Sequence, residues 1–577
     1  MLIRNFFVLA ATVCLAFSLP AQSQYLSEDN GLPNNGLKHR DGRSDPMAGF
    51  DNRSYMVITN PPAAPVRNIA EWEPSEAVII AYSNGFGLPI SLIKDLSNTG
   101  KVIIDCKSTS QSTAMTTLTN GGVNTANCQF ISTTVDSWWT RDYTGWFIAD
   151  SSNHVAIIDF PYNRPSRIND DAIPSKQATL LNITLYGMDV EHTGGNYMCD
   201  GYGTAVSTDL VLDENTLTTT QINQRMLSYL GIENYMIRPD AQGDYIKHID
   251  CWAKLLAPDK ILVDSVPPSD SRYTQYQAAA AYFASTNCPY GYPYKVYRPL
   301  IISSSGDDAY SNSFIFKNRV FVPLSGNATR DTAALQCYRT AMPGYLVKGY
   351  TSSGTAAWYG TDALHCRTHE IADRNMLYIQ HYPLWGVVNS PTGYAINAKV
   401  VSYAGNNIAA AYPKVVYKVG RLGQWDSTLV MAAQGSHQYS ATIPVQNDGD
   451  TVFYYIKAKD VTGIQAMHAL MGPADPYFFI VDNPVNIQVI PANPELSFFT
   501  YPNPSKGSFI LFTRSNYPGQ ATVNIYSLSG RRVYTQETEL MKGTSKTRIE
   551  TQGLDKGVYI IEVITGPNVS TGKLVIE

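Results

Sequence analysis

An α/β domain of about 340 residues followed by two all-β modules is the fold class the sequence predicts. Three observations predict it. Between residues 51 and 392, short apolar runs such as AVIIAYS and KVIIDC alternate with helix-compatible stretches such as SRYTQYQAAAAYFAS. Past Pro391 only strand signals remain, in AINAKVVSYA, YPKVVYKVG, HQYSATIPV and TVFYYIKAKD, separated by Gly, Asn and Asp turns. After the Pro-containing stretch NPVNIQVIPANPE, a last β-rich module fills 496–577. The first domain is long for an open sheet, so strand and helix units repeated around an axis are one solution, although no repeat is legible. The second module, 393–484, suits an immunoglobulin-like sandwich, and the third a smaller β-sandwich.

The chain of 577 residues is 44% hydrophobic and only 16% charged, which excludes a disordered or coiled-coil polypeptide. A net charge of -5 without any long Lys/Arg run leaves out the electrostatic footprint that nucleic acid requires. Tyr outnumbers Phe by 38 to 19, a balance that suits β-rich modules outside the cell. The N-terminus agrees. Arg4 precedes an apolar run from Phe6 to Leu19, and Ala21 to Ser23 supply a small-residue cleavage site, so 1–23 reads as a signal peptide. Residues 24–50 are polar and rich in Gly, Pro and Asn, a pro-segment or a loose arm. Without Cys14, seven cysteines remain. An odd number in an exported chain leaves one thiol for a function, and the spacings hold no paired C-x2-C zinc pattern.

Three segments concentrate chemistry. In DYIKHIDCWAKLL, read as a strand, His248 and Asp250 project to one side about 7 Å apart, able to hold both ends of a small polar substrate; a solvent-facing edge is the bland alternative. In DSWWTRDYTGW, Trp138, Trp139, Tyr143 and Trp146 surround Arg141 and Asp142. Aromatic walls around a carboxylate make a pocket for a planar cation, unless this is an aromatic core strand whose Arg141 and Asp142 pair with each other. In YGTDALHCRTHE, Cys366 lies between His365 and Arg367, whose charges would favour a nucleophilic thiolate; a disulfide or a stray metal site competes. HTGGNYMCDGYGTA adds Gly194, Gly195, Gly201 and Gly203, which permit close backbone approach to a ligand, without the pattern of a phosphate loop. In DAYSNSFIFKNRVFVP, Asn312 stands just before an apolar strand.

WWTRD, HTGGNYMCDGYGT, KHIDC, YSNS and ALHCRTH, in this order, resemble the guanidine-modifying (pentein) superfamily that includes agmatine deiminases. With the modules that follow, the chain is similar to the bacterial, Porphyromonas-type peptidylarginine deiminases over essentially its whole length. YPNP, a strand ending in SGR, GVYIIEV and the terminal KLVIE resemble the sorting domain of type IX secretion. The resemblance implies a pentein-type α/β propeller in which Cys366 is the nucleophile, His248 the general acid/base, Asp142 and Asp250 the guanidinium-binding carboxylates and Asn312 a further active-site residue. It implies no metal or cofactor. Trp139 would line the pocket, and Tyr245, before His248, would close over the substrate. In FPYNRPSRINDD, Arg164 and Arg167 would grip the carboxylate of a C-terminal arginine, although Ser166 breaks the expected pattern of two arginines flanking one proline.

The reading is therefore a secreted or outer-membrane surface enzyme that converts peptidyl arginine to citrulline and ammonia. Its partners are arginine-containing peptides and proteins and the secretion machinery, with no nucleic acid. An agmatine or free-arginine deiminase and a non-catalytic surface adhesin are the alternatives. A cysteine peptidase fits poorly, since its usual C-G-x-C-W neighbourhood is absent.

Overall fold

The computed structural model describes residues 56–302, 308–482, 495–551 and 553–577. The expected signal peptide, Cys14, the segment 24–50 and nearly all of the Pro-containing stretch lie outside the described residues. The chain divides into two compact units, the first ending at Val481 and the second running from Asp482 to Glu577.

The first domain repeats one motif: an antiparallel hairpin, a helix, then a strand parallel to the hairpin's second arm. Trp146–Ala149 and Val155–Asp159 form one hairpin, Ile173–Leu181 the helix and Leu185–Gly187 the parallel strand. Met198–Cys199 and Thr204–Thr208, Thr219–Leu230 and Asn234–Arg238 repeat it. So do Ala253–Ala257 and Lys260–Val263 with Tyr273–Ser285 and Lys295–Tyr297. Phe314–Phe316 and Arg319–Leu324 with Ala328–Ala341 and Leu346–Thr351 follow. The fifth unit joins both ends of the domain, because His369–Ala372 pairs antiparallel with Ser75–Tyr82, which feeds helix Ile90–Thr99 and parallel Lys101–Cys106. Sequence chemistry marks the helices locally. Thr218 accepts from the N–H of Gln221 while Gln221 bonds back to Thr218, and Gly231 at φ +68 ends that helix in the left-handed region.

Hairpin strands such as Val155–Asp159 are buried throughout, as strands covered on both faces must be. Apolar periodicity cannot display this repeat, because buried strands read as plain apolar runs.

The second module starts earlier than composition indicated. Leu377–Gln380 pairs with Tyr394–Ser402, and Val387–Val388 pairs with Tyr477–Val481, so strands before residue 393 already belong to it. Its two sheets enclose Ile396, Val400, Val415, Tyr454, Ile456 and Phe479. Polar pairs tie it to the first domain. Tyr202 Oη lies 2.8 Å from His468 Nε2, and Lys260 pairs with Asp475. The second unit packs Leu496–Tyr501, Ser508–Ser515 and Gly543–Glu550 against a four-stranded sheet around Leu511, Val523, Ile561 and Leu574.

All seven cysteines from Cys106 to Cys366 are free thiols.

Trp146 links core to loops. Its ring stacks on Phe160 at 4.3 Å and on Tyr197 at 4.0 Å. Trp146→Ala is therefore expected to destabilise the first domain by about 3–5 kcal/mol, measurable by denaturant unfolding.

Candidate active site

The segment that enters each hairpin carries the chemistry. Asp142 lies on the short helix Thr140–Tyr143 before Trp146–Ala149, and Gly195 on the turn Gly194–Asn196 before Met198–Cys199. His248 and Asp250 precede Ala253–Ala257, Asn312 precedes Phe314–Phe316, and Cys366 precedes His369–Ala372. Five equivalent loops of one repeat thus deliver groups that are distant in sequence, a rigid scaffold presenting reactive loops.

His248 and Asp250 do not sit on a strand. His248 is extended, at φ -85 and ψ 139, and Ile249–Cys251 form a tight turn before the strand begins at Ala253. The cause is Asn196, whose Oδ1 accepts the N–H groups of Ile249 at 3.2 Å and Thr208 at 2.9 Å. A side chain supplies the bond that a neighbouring strand would otherwise supply. Tyr245 likewise lies on a loop, 38% exposed, rather than on a strand leading to His248.

Cys366, His248, Asp142, Asp250 and Asn312 are each no more than 2% exposed. Asn312 clamps the centre: its Nδ2 donates to Cys366 Sγ at 3.2 Å and to the Asp250 carbonyl at 3.3 Å. Its Oδ1 accepts the His365 N–H at 2.9 Å and the Cys366 N–H at 3.3 Å. Cys366 Sγ stands 3.7 Å from Asp250 Oδ2, and His248 Nδ1 3.7 Å from Asp142 Oδ1. The glycines approach neighbouring backbone and side-chain atoms. A Cβ on Gly194 would lie 1.9 Å from the Arg141 carbonyl oxygen. A Cβ on Gly195 would lie 2.6 Å from His248 Nδ1 and 2.7 Å from Asp142 Oδ1.

The cations beside Cys366 are already engaged, contrary to the sequence expectation. Arg367 pairs with Asp362 through Nε at 2.7 Å and Nη2 at 2.6 Å. His365 lies between Asp250 and Glu71. Burial therefore pushes the Cys366 thiol well above its ordinary value, and Asp250, Asp362 and Asp142 push it further. Burial also raises the Asp250 carboxyl, but the hydrogen bond and charge of His365 outweigh it and hold Asp250 below the usual carboxylate range.

Arg141 does not pair with Asp142. It binds Glu370 at 2.8 Å and the Thr368 carbonyl at 3.1 Å. Trp139 is fully buried, with the Arg167 guanidinium 4.8 Å from its ring centre. Arg164 and Arg167 meet at Tyr162: Arg167 Nη1 is 3.3 Å from its hydroxyl, and the Arg164 guanidinium is 5.8 Å from its ring centre. Both arginines are buried beside one aromatic side chain. Sequence reasoning missed Glu71, Asn196 and the role of His365. Only His365 carried a signal, as the neighbour of Cys366. Among the described residues no cluster of His, Cys, Asp and Glu could hold a metal ion.

A buried thiol thus lies beside the Asn312 amide and the Asp250 carboxylate, with His248 against Asp142 on neighbouring loops. Residues 67–371 match the Porphyromonas-type peptidyl-arginine deiminase family, more than half of the chain, and the protein belongs to that family. It is a guanidino-modifying hydrolase. Residues 500–577 match the secretion system C-terminal sorting domain, which makes this a secreted or cell-surface protein of the type IX pathway. A protein named as a candidate agmatine deiminase of Legionella pneumophila is 24% identical over 262 residues, spanning 42% of this chain and 75% of the relative. Among solved structures, the agmatine deiminase of Enterococcus faecalis aligns with a TM-score of 0.47 at 19% identity, covering 54% of this chain and 96% of that one. The C. jejuni agmatine deiminase aligns with a TM-score of 0.45 at 18% identity, covering 53% and 96%.

Two outcomes follow from the geometry. Gly195→Ala is expected to lower kcat/KM on a guanidino substrate roughly a hundredfold, since a displacement of about 1 Å suffices for that; steady-state kinetics with unchanged circular dichroism checks it. Alkylation of Cys366 by neutral iodoacetamide, followed by peptide mass mapping, is expected to keep accelerating beyond about pH 9, because the raised thiol ionises above the ordinary cysteine range. A plateau near neutrality would contradict this.

Proposed function

We propose that the protein hydrolyses peptidyl arginine, with a preference for arginine at a C-terminus, to citrulline and ammonia through a covalent intermediate on Cys366. The observation that carries this reading is the set of distances around one thiol: Asn312 at 3.2 Å and Asp250 at 3.7 Å from Sγ, with His248 against Asp142.

A guanidinium carbon is a poor electrophile, since its charge is spread over three nitrogens. Asp142 and Asp250 would each take N–H bonds from it and hold the carbon in line with Sγ, turning a slow encounter into an oriented attack. The bound cation also offsets the negative surroundings that keep the thiol protonated, so the substrate itself promotes the thiolate. The thiol proton passes to His248 as sulfur bonds to carbon, and His248 delivers that proton to the departing nitrogen. Ammonia leaves, and the product on Cys366 is a thiouronium. His248 next removes a proton from water, whose oxygen attacks the same carbon; the C–S bond breaks, returning the thiol and leaving the urea group of citrulline. Asn312, bonded to Sγ, would steady the sulfur in both steps.

Arg164 and Arg167, held around Tyr162, would fork onto a terminal carboxylate, and Trp139 would wall the pocket with its ring. Tyr245, exposed on its loop, would cover the bound peptide. We also infer that the five repeats stand around one axis as a closed propeller, that the second module is immunoglobulin-like and supports the catalytic domain, and that export ends in outer-membrane surface attachment.

Peptides ending in Arg, peptides with internal Arg, and agmatine separate the readings when ammonia and a mass gain of about one dalton are followed. The Arg-ended peptide is expected to be the best substrate. Turnover of agmatine alone would favour the small-molecule deiminase suggested by the names of its relatives, and binding without product would favour an adhesin. Cys366→Ala is expected to abolish product without loss of fold. Arg164→Ala is expected to raise KM for the Arg-ended peptide roughly tenfold while agmatine kinetics stay unchanged.

A further inference from the structure

We propose that His365, braced by Glu71, is the positioning residue of the guanidinium site: it holds Asp250 ionised and in the orientation that faces Cys366 and the substrate. This rests on the reading of Asp250 as a guanidinium-binding carboxylate.

The geometry is specific. His365 Nδ1 lies 2.7 Å from Asp250 Oδ2, and its Nε2 lies 2.9 Å from Glu71 Oε2. A carboxylate oxygen stands against each ring nitrogen, so the imidazole bridges the two acids. Glu71 cannot turn away. Lys254 Nζ donates to both of its oxygens, at 2.8 and 2.7 Å, and the Ile315 N–H donates to Oε1 at 2.7 Å. Arg141 stands 3.9 Å off. Lys254 meets the charge of Glu71, and the imidazole lies against Asp250, which lets the two acids share a confined site.

Asp250 needs this brace. Its Oδ2 is shared between His365 and Cys366 Sγ, its Oδ1 lies 3.6 Å from Cys251 Sγ, and Asp142 repels it. His365 foremost, then His248, favour its ionised form, and Arg141 adds to them. Without the imidazole, the carboxyl would rotate toward the thiol or take up a proton, and either change removes a bond to the guanidinium.

Two measurements test this with the full chain. In the first, kcat/KM on an Arg-ended peptide is followed against pH for wild type, His365→Gln, Glu71→Gln and the double variant. His365→Gln is expected to lose roughly a hundredfold. Its acid limb is expected to move to higher pH, because burial then raises Asp250 against the charges of His248 and Arg141 alone. Glu71→Gln is expected to move in the same direction by a smaller step, and the double variant to be no worse than His365→Gln, since the pair acts as one unit.

The second needs no turnover. Labelling of Cys366 by cationic chloroacetamidine is compared with labelling by neutral chloroacetamide. Wild type is expected to favour the cation, and His365→Gln to lose that preference, read as the ratio of the two labelling rates. A folded His365→Gln with unchanged acid limb and unchanged cation preference overturns the proposal. Should His365→Gln fail to fold, Glu71→Gln takes its place, and an unchanged acid limb and cation preference in that variant overturn the proposal equally. A wild type that favours the cation but turns over no arginine peptide indicts the proposed reaction, and loss of the preference in His365→Gln still supports the positioning role.

Discussion

A largely but not fully buried carboxylate held among four segments of the chain, Glu71, sets the terms for the rest of the first domain. An ionised group in the interior costs several kcal/mol unless its lone pairs are satisfied and its charge is met. Here both conditions hold: Lys254, His365 and the Ile315 N–H bond it, and burial, which would push its pKa up, is overcome by Lys254 and His365 so that it falls well below the ordinary range. Lys254 lies on one hairpin, Ile315 on the next, and His365 precedes the strand that pairs the end of the domain with its start. A chain that buried Glu71 with any of these displaced would leave a charge unmet. The network therefore rewards only the arrangement in which the loops before the hairpins converge. Its gain is orientation rather than net stability, because buried ion pairs seldom exceed their desolvation cost.

The same neutrality governs the chemistry. Since His365 and Arg367 spend their charges on Asp250, Glu71 and Asp362, neither is left to draw the proton off the sulfur beside them. The carboxylates make the centre hospitable to a cation and inhospitable to a thiolate. A planar cation that enters alters both conditions at once. Under the proposed mechanism, reactivity would be tied to occupancy, and selectivity for guanidino compounds would need no separate gate.

What was legible in the sequence was the set of loops. Cys, His, Asp and Asn in short polar segments with clustered Gly and Trp stand out against apolar runs, so the order WWTRD, HTGGN, KHIDC, YSNS, LHC could be matched to a family. Conformation inside those loops was not legible. KHIDC alternates as a strand does, yet Asn196, whose Oδ1 bonds Ile249 from 53 residues away, bends it into a turn. The repeat stayed hidden because its copies share geometry without sharing residues. Glu71 was invisible for a related reason: its partners lie 183, 244 and 294 residues downstream, and a glutamate in EWEPSE carries no mark of them. The early start of the second module was masked because Leu377–Gln380 reads like one more strand of the first domain until its pairing is known.

Export changes the meaning of the odd cysteine count. Seven thiols that form no disulfide enter an oxidising space, where the thiolate is the vulnerable species. Burial answers this at each one. Cys106 and Cys337 are pushed up to about 11, and Cys128, Cys199, Cys251 and Cys288 are raised for the same reason. Cys366 is protected as the others are, by desolvation reinforced by carboxylates, and differs in what surrounds it rather than in its resting state. An enzyme with a permanently ionised nucleophile would face oxidation throughout its life outside the cell. If Cys366 acts as proposed, ionising only beside a bound cation, it is exposed only for the duration of a turnover, and the carboxylates that raise its resting pKa would also preserve it.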